Sequence, residues 1–491
     1  MDLILALDAG TSGVRTVAFD ENVEIVDSSQ RELTAHFPSP GEVEHDAAEI
    51  ADLAIATLRE VARRAHDNGH EVLGVGITNQ RETTVALDRS NGELLHRAIV
   101  WQDRRTSSIC EQMESDGRGP AVRASTGLVL DPYFSATKMK WLLEHGVLDG
   151  AREPGLATID TWLVWRLSGG ADGGSFVTEP SNASRTMLMD LATRAWSADM
   201  ATLFGVPLEM LATIVASTSH VATISAAAVP ELAGVRIAGV LGDQQAALFG
   251  QACFDPGVVK ATYGTGAFIL ANAGERVPGV FNGLVTTVAW DLGALGPATY
   301  AVEGSAFVAG AAVQWLRDEM GFIASSSELE ALAMSVADSA GVQFVPAFTG
   351  LGSPFWRSDA RGSITGLSRG AGRAHIARAL VEALAYQVRA MTDAFAQHGI
   401  ALSELRADGG AAQMDLLMQL QATNSRLAVQ RSASLEATAR GAATLAGLSL
   451  GLWPSLDDLA ERWRRDRRFE PQDPLFADIG YAAWSRAVER S

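Results

Sequence analysis

The chain carries the same turn twice, and that repetition limits what it can fold into. Leu3-Ile4-Leu5-Ala6-Leu7 is an apolar run that ends in Asp8. The small-residue turn Ala9-Gly10-Thr11-Ser12-Gly13 follows, then a second apolar run through Val14, Arg15, Thr16, Val17, Ala18 and Phe19. Apolar runs bounded by glycine read as buried strands. Gly10 and Gly13 let the turn bring its N–H groups close to a ligand, while Thr11 and Ser12 add hydroxyls and Arg15 a positive charge. Taken alone, the stretch fits an ordinary glycine hairpin as well as a phosphate cradle. The second copy, Val258-Val259-Lys260-Ala261-Thr262-Tyr263-Gly264-Thr265-Gly266-Ala267-Phe268-Ile269-Leu270, repeats strand, Gly-Thr turn and strand. Each hairpin opens a half of similar size, which points to a duplicated architecture with the two loops facing each other and phosphates between them.

At 491 residues the chain is too long for one ordinary core, so two large domains are expected. Apolar residues make up 47% and charged residues 20%, the balance of a globular protein rather than a disordered one. The net charge of −19 argues against nucleic acid and anionic membrane as partners, although a local basic pocket for a phosphorylated ligand remains compatible with it. Cys110 and Cys253 are the only cysteines, too few for a disulfide scaffold or a Cys-rich metal site, which fits a reducing cytoplasm. The chain starts directly with a strand pattern, so no signal peptide is expected, and no apolar stretch is long enough for membrane insertion.

Between the hairpins, Asp46 to Ala65 has helical spacing, with Ile50, Leu53, Ala54, Leu58, Val61 and Ala62 on one face. Glu71 to Thr78 reads as a strand ending at Asn79-Gln80-Arg81-Glu82. Val100-Trp101-Gln102-Asp103 follows another strand. Strand, helix and strand in succession argue an α/β sheet. Ligands of such sheets bind beyond the carboxyl ends of strands, where Arg81 and Glu82 fall. Gly242-Asp243-Gln244-Gln245 is a turn opening a small-residue helix, and an acid there also has a plain role as a helix cap. Phe254-Asp255-Pro256-Gly257 marks a boundary. It divides an N-terminal domain (1–252) from a C-terminal domain (257–450), with a helical tail at 451–491. In the C-terminal half, Ala301 to Glu319 reads as a strand end and a helix, and His375 to Ala396 as a long amphipathic helix. Leu405 to Ala411 is a strand with a Gly-Gly turn, which fits either a nucleoside contact or a simple strand-to-helix connection. Arg462 to Arg468, with five arginines around Trp463 and Asp466, reads as a solvated helix face.

Two long segments resemble the signatures of the FGGY carbohydrate kinases: Tyr133-Phe134-Ser135-Ala136-Thr137-Lys138-Met139-Lys140-Trp141-Leu142, and Gly362-Ser363-Ile364-Thr365-Gly366-Leu367 continuing through His375, Ala379 and Glu382. Gly76 to Thr84, Ile99 to Thr106, Asn182 to Leu188, Gly242 to Gln251 and Pro346 to Gly352 are similar to the glycerol-phosphorylating branch of that family. The resemblance implies an α/β protein of the actin-like ATPase fold, two ribonuclease-H-like domains around a nucleotide cleft, with ATP and Mg²⁺ as cofactors and glycerol as substrate. It further implies a homo-oligomer, a dimer or tetramer. Arg81, Glu82, Tyr133, Asp243 and Gln244 would bind the glycerol hydroxyls, with Trp101 and Phe268 on its carbon edge. Thr11, Ser12, Gly13, Arg15, Gly264 and Thr265 would hold the phosphates, and Gly310, Gln314, Gly410 and Met414 would border the nucleoside. Asp8 and Asp243 would face the metal, and Asp243 would be the catalytic base. Three departures stand out. The first turn reads Ala-Gly-Thr-Ser-Gly, closer to other sugar kinases of the family, so erythritol or a pentulose stays open as the substrate. Met414 occupies a position that is usually asparagine. Pro230 to Arg236 lacks the glycine-rich pattern of a fructose-bisphosphate loop, so that regulation is not expected. A non-kinase actin-like ATPase has no use for the Arg81, Glu82 and Asp243 set.

Overall fold

A computed structural model describes residues 1–472 and 474–491. Two sheets share one plan. In the N-terminal sheet, the strand Asp2–Ala9 runs antiparallel to Gly13–Phe19, which pairs with Ile25–Glu32. On its other side it runs parallel to Glu71–Asn79, then to Arg236–Gly242, with Thr218–Thr223 at the edge. In the C-terminal sheet, Val258–Tyr263 pairs antiparallel with Ala267–Gly274, which pairs with Ala298–Ala306. On its other side it runs parallel to Glu404–Asp408 and then Val429–Ser432. The shared order, one hairpin plus a third antiparallel strand on one side and parallel strands on the other, is the ribonuclease-H-like domain of the actin-like ATPase fold, present twice.

The expected helix forms at Ala47–Asp67. Asp46 caps it by accepting from the Ala48 N–H, and Ile50, Ala54, Leu58, Val61 and Ala62 are buried. Leu53 is only partly covered. A smaller sheet, ordered Pro154–Thr158, Thr84–Asp88, Ala98–Ile99, Glu44–His45 and Ala35–His36, is inserted between the strands of the N-terminal half and carries Trp101 at its border. Arg373–Gln397 is the long helix expected near residue 375, and most of its residues are buried.

The halves are joined by two helices of small residues. Asp243–Gly250 follows the strand Arg236–Gly242, and Ala437–Leu450 comes from the C-terminal half yet packs on the N-terminal sheet. Ala439, Ala442, Ala443 and Ala446 of the second helix share one buried cluster with Ile4, Ala6, Val17 and Phe19 on one side and Leu270, Ala289 and Ala301 on the other. The helices touch backbone to backbone. A Cβ at Gly441 would collide with the carbonyl of Ala246, and one at Gly250 with the carbonyl of Ala437.

Two expectations change. The arginine-rich segment is not a helix face. Arg465–Phe469 is a strand that extends the C-terminal sheet beyond Val429–Ser432. An open strand edge offers unpaired backbone groups that local helix formation does not satisfy. Only Phe469 is buried, and Arg431 and Asp466 are ion-paired at 2.6 Å across the two strands. The segment 451–491 is accordingly not purely helical. It contributes that strand and the helix Pro474–Glu489, which buries Trp484 in the C-terminal core. Among the described residues no helix is long and apolar enough to cross a membrane.

The Gly441 contact yields a test that separates packing from propensity. Alanine is the better helix former by about 1 kcal/mol, so propensity alone has Gly441→Ala stabilise the protein. The collision with Ala246 instead predicts a loss of about 1–3 kcal/mol, read by urea unfolding.

Candidate active site

Three parallel strands end side by side. Asp8 is in register with Thr78, and both Ala9 and Gly242 with Asn79. The residues after those ends therefore converge: Asp8 on the first strand, Gln80-Arg81-Glu82 after the second, and Asp243 opening the helix after the third. Glu82 has φ of 61°, a left-handed conformation that costs a non-glycine residue on the order of 1 kcal/mol or more. Ser135 Oγ holds it there, donating to the Glu82 carbonyl at 3.0 Å.

A cavity of about 140 Å³ lies between these ends and the second hairpin. Thr11, Arg81, Glu82, Trp101, Tyr133, Asp243, Gln244, Gly264, Thr265 and Phe268 all line it. It is small beside the roughly 300–1,000 Å³ of a drug-sized ligand site. Trp101 sits edge-on to Tyr133 and Phe268, at 5.7 and 6.2 Å between centroids, and donates its Nε1–H to Thr11 Oγ1 at 2.9 Å. Beyond Trp101 and Thr265 the cleft widens into a space of about 740 Å³ bordered by Phe307, Phe348, Trp356 and Arg104.

Behind the cavity lies a closed ring of buried charge. Arg81 donates to Glu303 at 2.6 and 3.3 Å, Arg185 donates to Glu303 at 2.9 Å and to Glu82 at 2.6 Å, and Arg81 Nε lies 3.7 Å from Glu82. All four side chains are 0–2% exposed. Burial works against ionised Glu303, but Arg185 and Arg81 outweigh it and hold the carboxyl down to about 2. Burial raises Glu82 in spite of the same arginines. Arg81 Nε also faces Asp243 at 3.2 Å, and Arg81 Nη2 donates to the Tyr133 hydroxyl at 3.1 Å. Burial keeps the Tyr133 phenol protonated. Asp243 keeps 28% of its side chain accessible, so a ligand can reach it. Burial raises its pKa against the pull of Arg81 and Lys260, and the Asp8 charge adds to the rise.

Other expected residues stand outside the cavity. Asp8 is held by Arg15 at 3.0 and 3.1 Å, and Arg15 also pairs with Glu436 from the C-terminal half. Ser12 is exposed on its turn, and Gly13 starts the returning strand. Gly310 begins the helix Gly310–Asp318, and its N–H donates to the Gly264 carbonyl at 2.9 Å, so this helix rests on the second hairpin. Gln314 is exposed one turn along that helix, and Gly410 is exposed after the strand Glu404–Asp408. Met414 is buried in the apolar core of the C-terminal half, where a thioether packs well.

The match to known proteins spans the chain. Residues 3–250 match the N-terminal domain of the FGGY family of carbohydrate kinases, and residues 259–450 match its C-terminal domain. The chain belongs to the FGGY family. It is 48% identical to a glycerol kinase of Dechloromonas aromatica over 99% of this chain and 97% of that one, and 49% identical to one of Bordetella parapertussis over 100% and 97%. The structure of Plasmodium falciparum glycerol kinase with ADP superposes with a TM-score of 0.91 at 35% identity, covering 100% of this chain and 98% of that one.

Three charged residues of this FGGY protein escape a reading by motif: Arg185, Lys260 and Glu303. Arg185 lies in the segment Asn182 to Leu188, whose likeness to relatives assigns it no role. Lys260 and Glu303 sit within otherwise uncharged strands, Val258–Tyr263 and Ala298–Ala306. A lone charge inside a buried strand pattern is the signal that marks them, since charged residues are almost never fully buried unless paired. Lys260 Nζ donates to Gln244 Oε1 and to the Phe268 carbonyl. Burial lowers its pKa to about 8, with Asp408 and Glu303 opposing.

The sign of the Glu303 effect is testable. A carboxylate depressed from 4.5 to about 2 contributes stability above pH 4.5 that fades as pH falls towards 2. Glu303→Gln is expected to lose about 3–5 kcal/mol at pH 7, since it leaves two buried arginines short of a partner. The gap to the parent protein should shrink when unfolding is repeated at pH 3.

Proposed function

We propose that the chain transfers the γ-phosphate of ATP to glycerol, giving sn-glycerol 3-phosphate and ADP. One observation carries the reading: five groups able to bind hydroxyls, Arg81, Glu82, Tyr133, Asp243 and Gln244, line one small cavity that opens directly onto the Gly264-Thr265 turn. The names of the relatives agree with it.

In this mechanism the pocket first removes the freedom of a small flexible triol. Ideal orientation of reacting groups is worth up to roughly 7–11 kcal/mol. Trp101 and Phe268 cover the carbon edge, and the charged and phenolic groups take the hydroxyls. Asp243 accepts the proton of the attacking hydroxyl. A bond forms from that oxygen to the γ-phosphorus as the bond to the bridging oxygen of ADP breaks. Thr11 and Thr265 approach the triphosphate from the two hairpins, with loop N–H groups as further donors.

Mg²⁺ fits this site. Among the described residues no three His, Cys, Asp or Glu side chains gather as a metal cage. Mg²⁺ usually takes one or two carboxylates with waters and phosphate oxygens. Asp8 and Asp243 are the carboxylates in place for it, and the ion would neutralise charge on the phosphate oxygens. The two cysteines are free and buried, which fits work in a reducing cytoplasm.

The decisive experiment measures ATP-dependent phosphorylation of glycerol, erythritol, dihydroxyacetone and pentuloses at fixed Mg²⁺. Glycerol should give the highest kcat/KM, and a pentulose winning would replace this reading. Asp243→Asn should keep the far-UV spectrum and ATP binding and lower kcat by about 10²–10⁴-fold. Turnover at the parent rate would remove Asp243 as the base.

A further inference from the structure

A hydroxyl both donates and accepts, so a pocket that grips a polyol selectively must present a fixed pattern of donors and acceptors. Glutamine is the weak point of such a pattern, because its terminal torsion is broad and a half-turn exchanges carbonyl and NH₂. Here that freedom is removed from behind. Lys260 reaches out of the buried strand Val258–Tyr263 and places Nζ on Gln244 Oε1, with a second bond at 3.3 Å to the Phe268 carbonyl. An ammonium has three donors and no acceptor. It therefore takes the amide oxygen and leaves the NH₂ as the unused end of Gln244, a residue that lines the cavity.

We propose that Lys260 is a positioning residue that makes Gln244 an obligatory hydrogen-bond donor to the polyol, so that this end of the pocket selects for a hydroxyl oxygen. The proposal rests on the polyol-kinase reading above and extends it. The same device operates twice more around the cavity. Arg81 also cannot accept, so its bond to the Tyr133 oxygen leaves the phenol proton to be donated elsewhere. Arg185 occupies Oε1 of Glu82, leaving Oε2 as an acceptor. Lys260 belongs to the C-terminal half and Gln244 to the N-terminal half, so the donor is set only when the halves are docked.

Steady-state kinetics test this on the full chain. Lys260→Met should raise the KM for glycerol roughly ten- to hundred-fold, the worth of a hydrogen bond to a charged group. The KM for ATP should stay within about twofold, because the lysine acts on the polyol end alone. Adding Lys260→Met to Gln244→Ala should change the glycerol KM no further, since the lysine acts through the amide. Gln244→Glu leaves the lysine its anion but has no N–H to give, so it should show the same rise even if Lys260→Met fails to fold. Equal rises in both KM values, independent effects in the double variant, or a parental glycerol KM in Gln244→Glu would each overturn the role of Lys260. Absence of glycerol turnover in the parent protein would instead overturn the reading on which the proposal rests.

Discussion

The ring of Arg81, Glu82, Arg185 and Glu303 is the interaction on which the site depends. An isolated buried charge is so costly that it neutralises or finds a partner. Each half of the chain buries charges that it does not satisfy alone. Arg81, Glu82 and Arg185 come from the N-terminal half, Glu303 from the strand Ala298–Ala306 of the C-terminal half. The N-terminal three carry a net positive charge, and the single C-terminal carboxylate cancels it. Docking the halves thus completes the ring, and the completed ring fixes the guanidinium and carboxylate that border the small cavity. Arg185 adds rigidity by lying over the rings of Tyr133 and Phe134, at 5.5 and 5.1 Å.

The docking itself is a matter of close approach. Small side chains on Ala437–Leu450 and Asp243–Gly250 let two helix backbones meet, which brings the ends of the parallel strands near the second hairpin. Asp243 is the first residue of one of those helices, so its place is set by the same contact that joins the sheets. Packing and chemistry meet in one short helix. The cleft follows from the geometry: two sheets of the same plan, held at their shared helices, leave their hairpin turns open to each other.

The site is also where the protein departs from what stability alone favours. Glu82 is held at a positive φ, and Asp8, Glu82 and Asp243 are all pushed above the ordinary carboxylate range by burial. Such carboxylates are poor contributors to folding at neutral pH. They are well suited to accept protons, to hold hydroxyls or to face a cation.

Much of this was legible in the chain itself. Alternating apolar runs and glycine turns mark both hairpins, and the strand ends put Arg81 and Glu82 beside the cavity, because burial leaves a strong period and turns demand particular residues. The arginine segment 462–468 does not show its strand locally: a free sheet edge, distant in sequence, decides its conformation. Nor does any local pattern say that Glu303 reaches Arg81, 222 positions away, or that Lys260 takes the amide oxygen of Gln244. The repeated strands and the kinds of side chain that line the cavity are written in the order of the residues. Which charge faces which is settled by the docked fold, because electrostatic pairing depends on distance in space and two halves must dock before those distances exist.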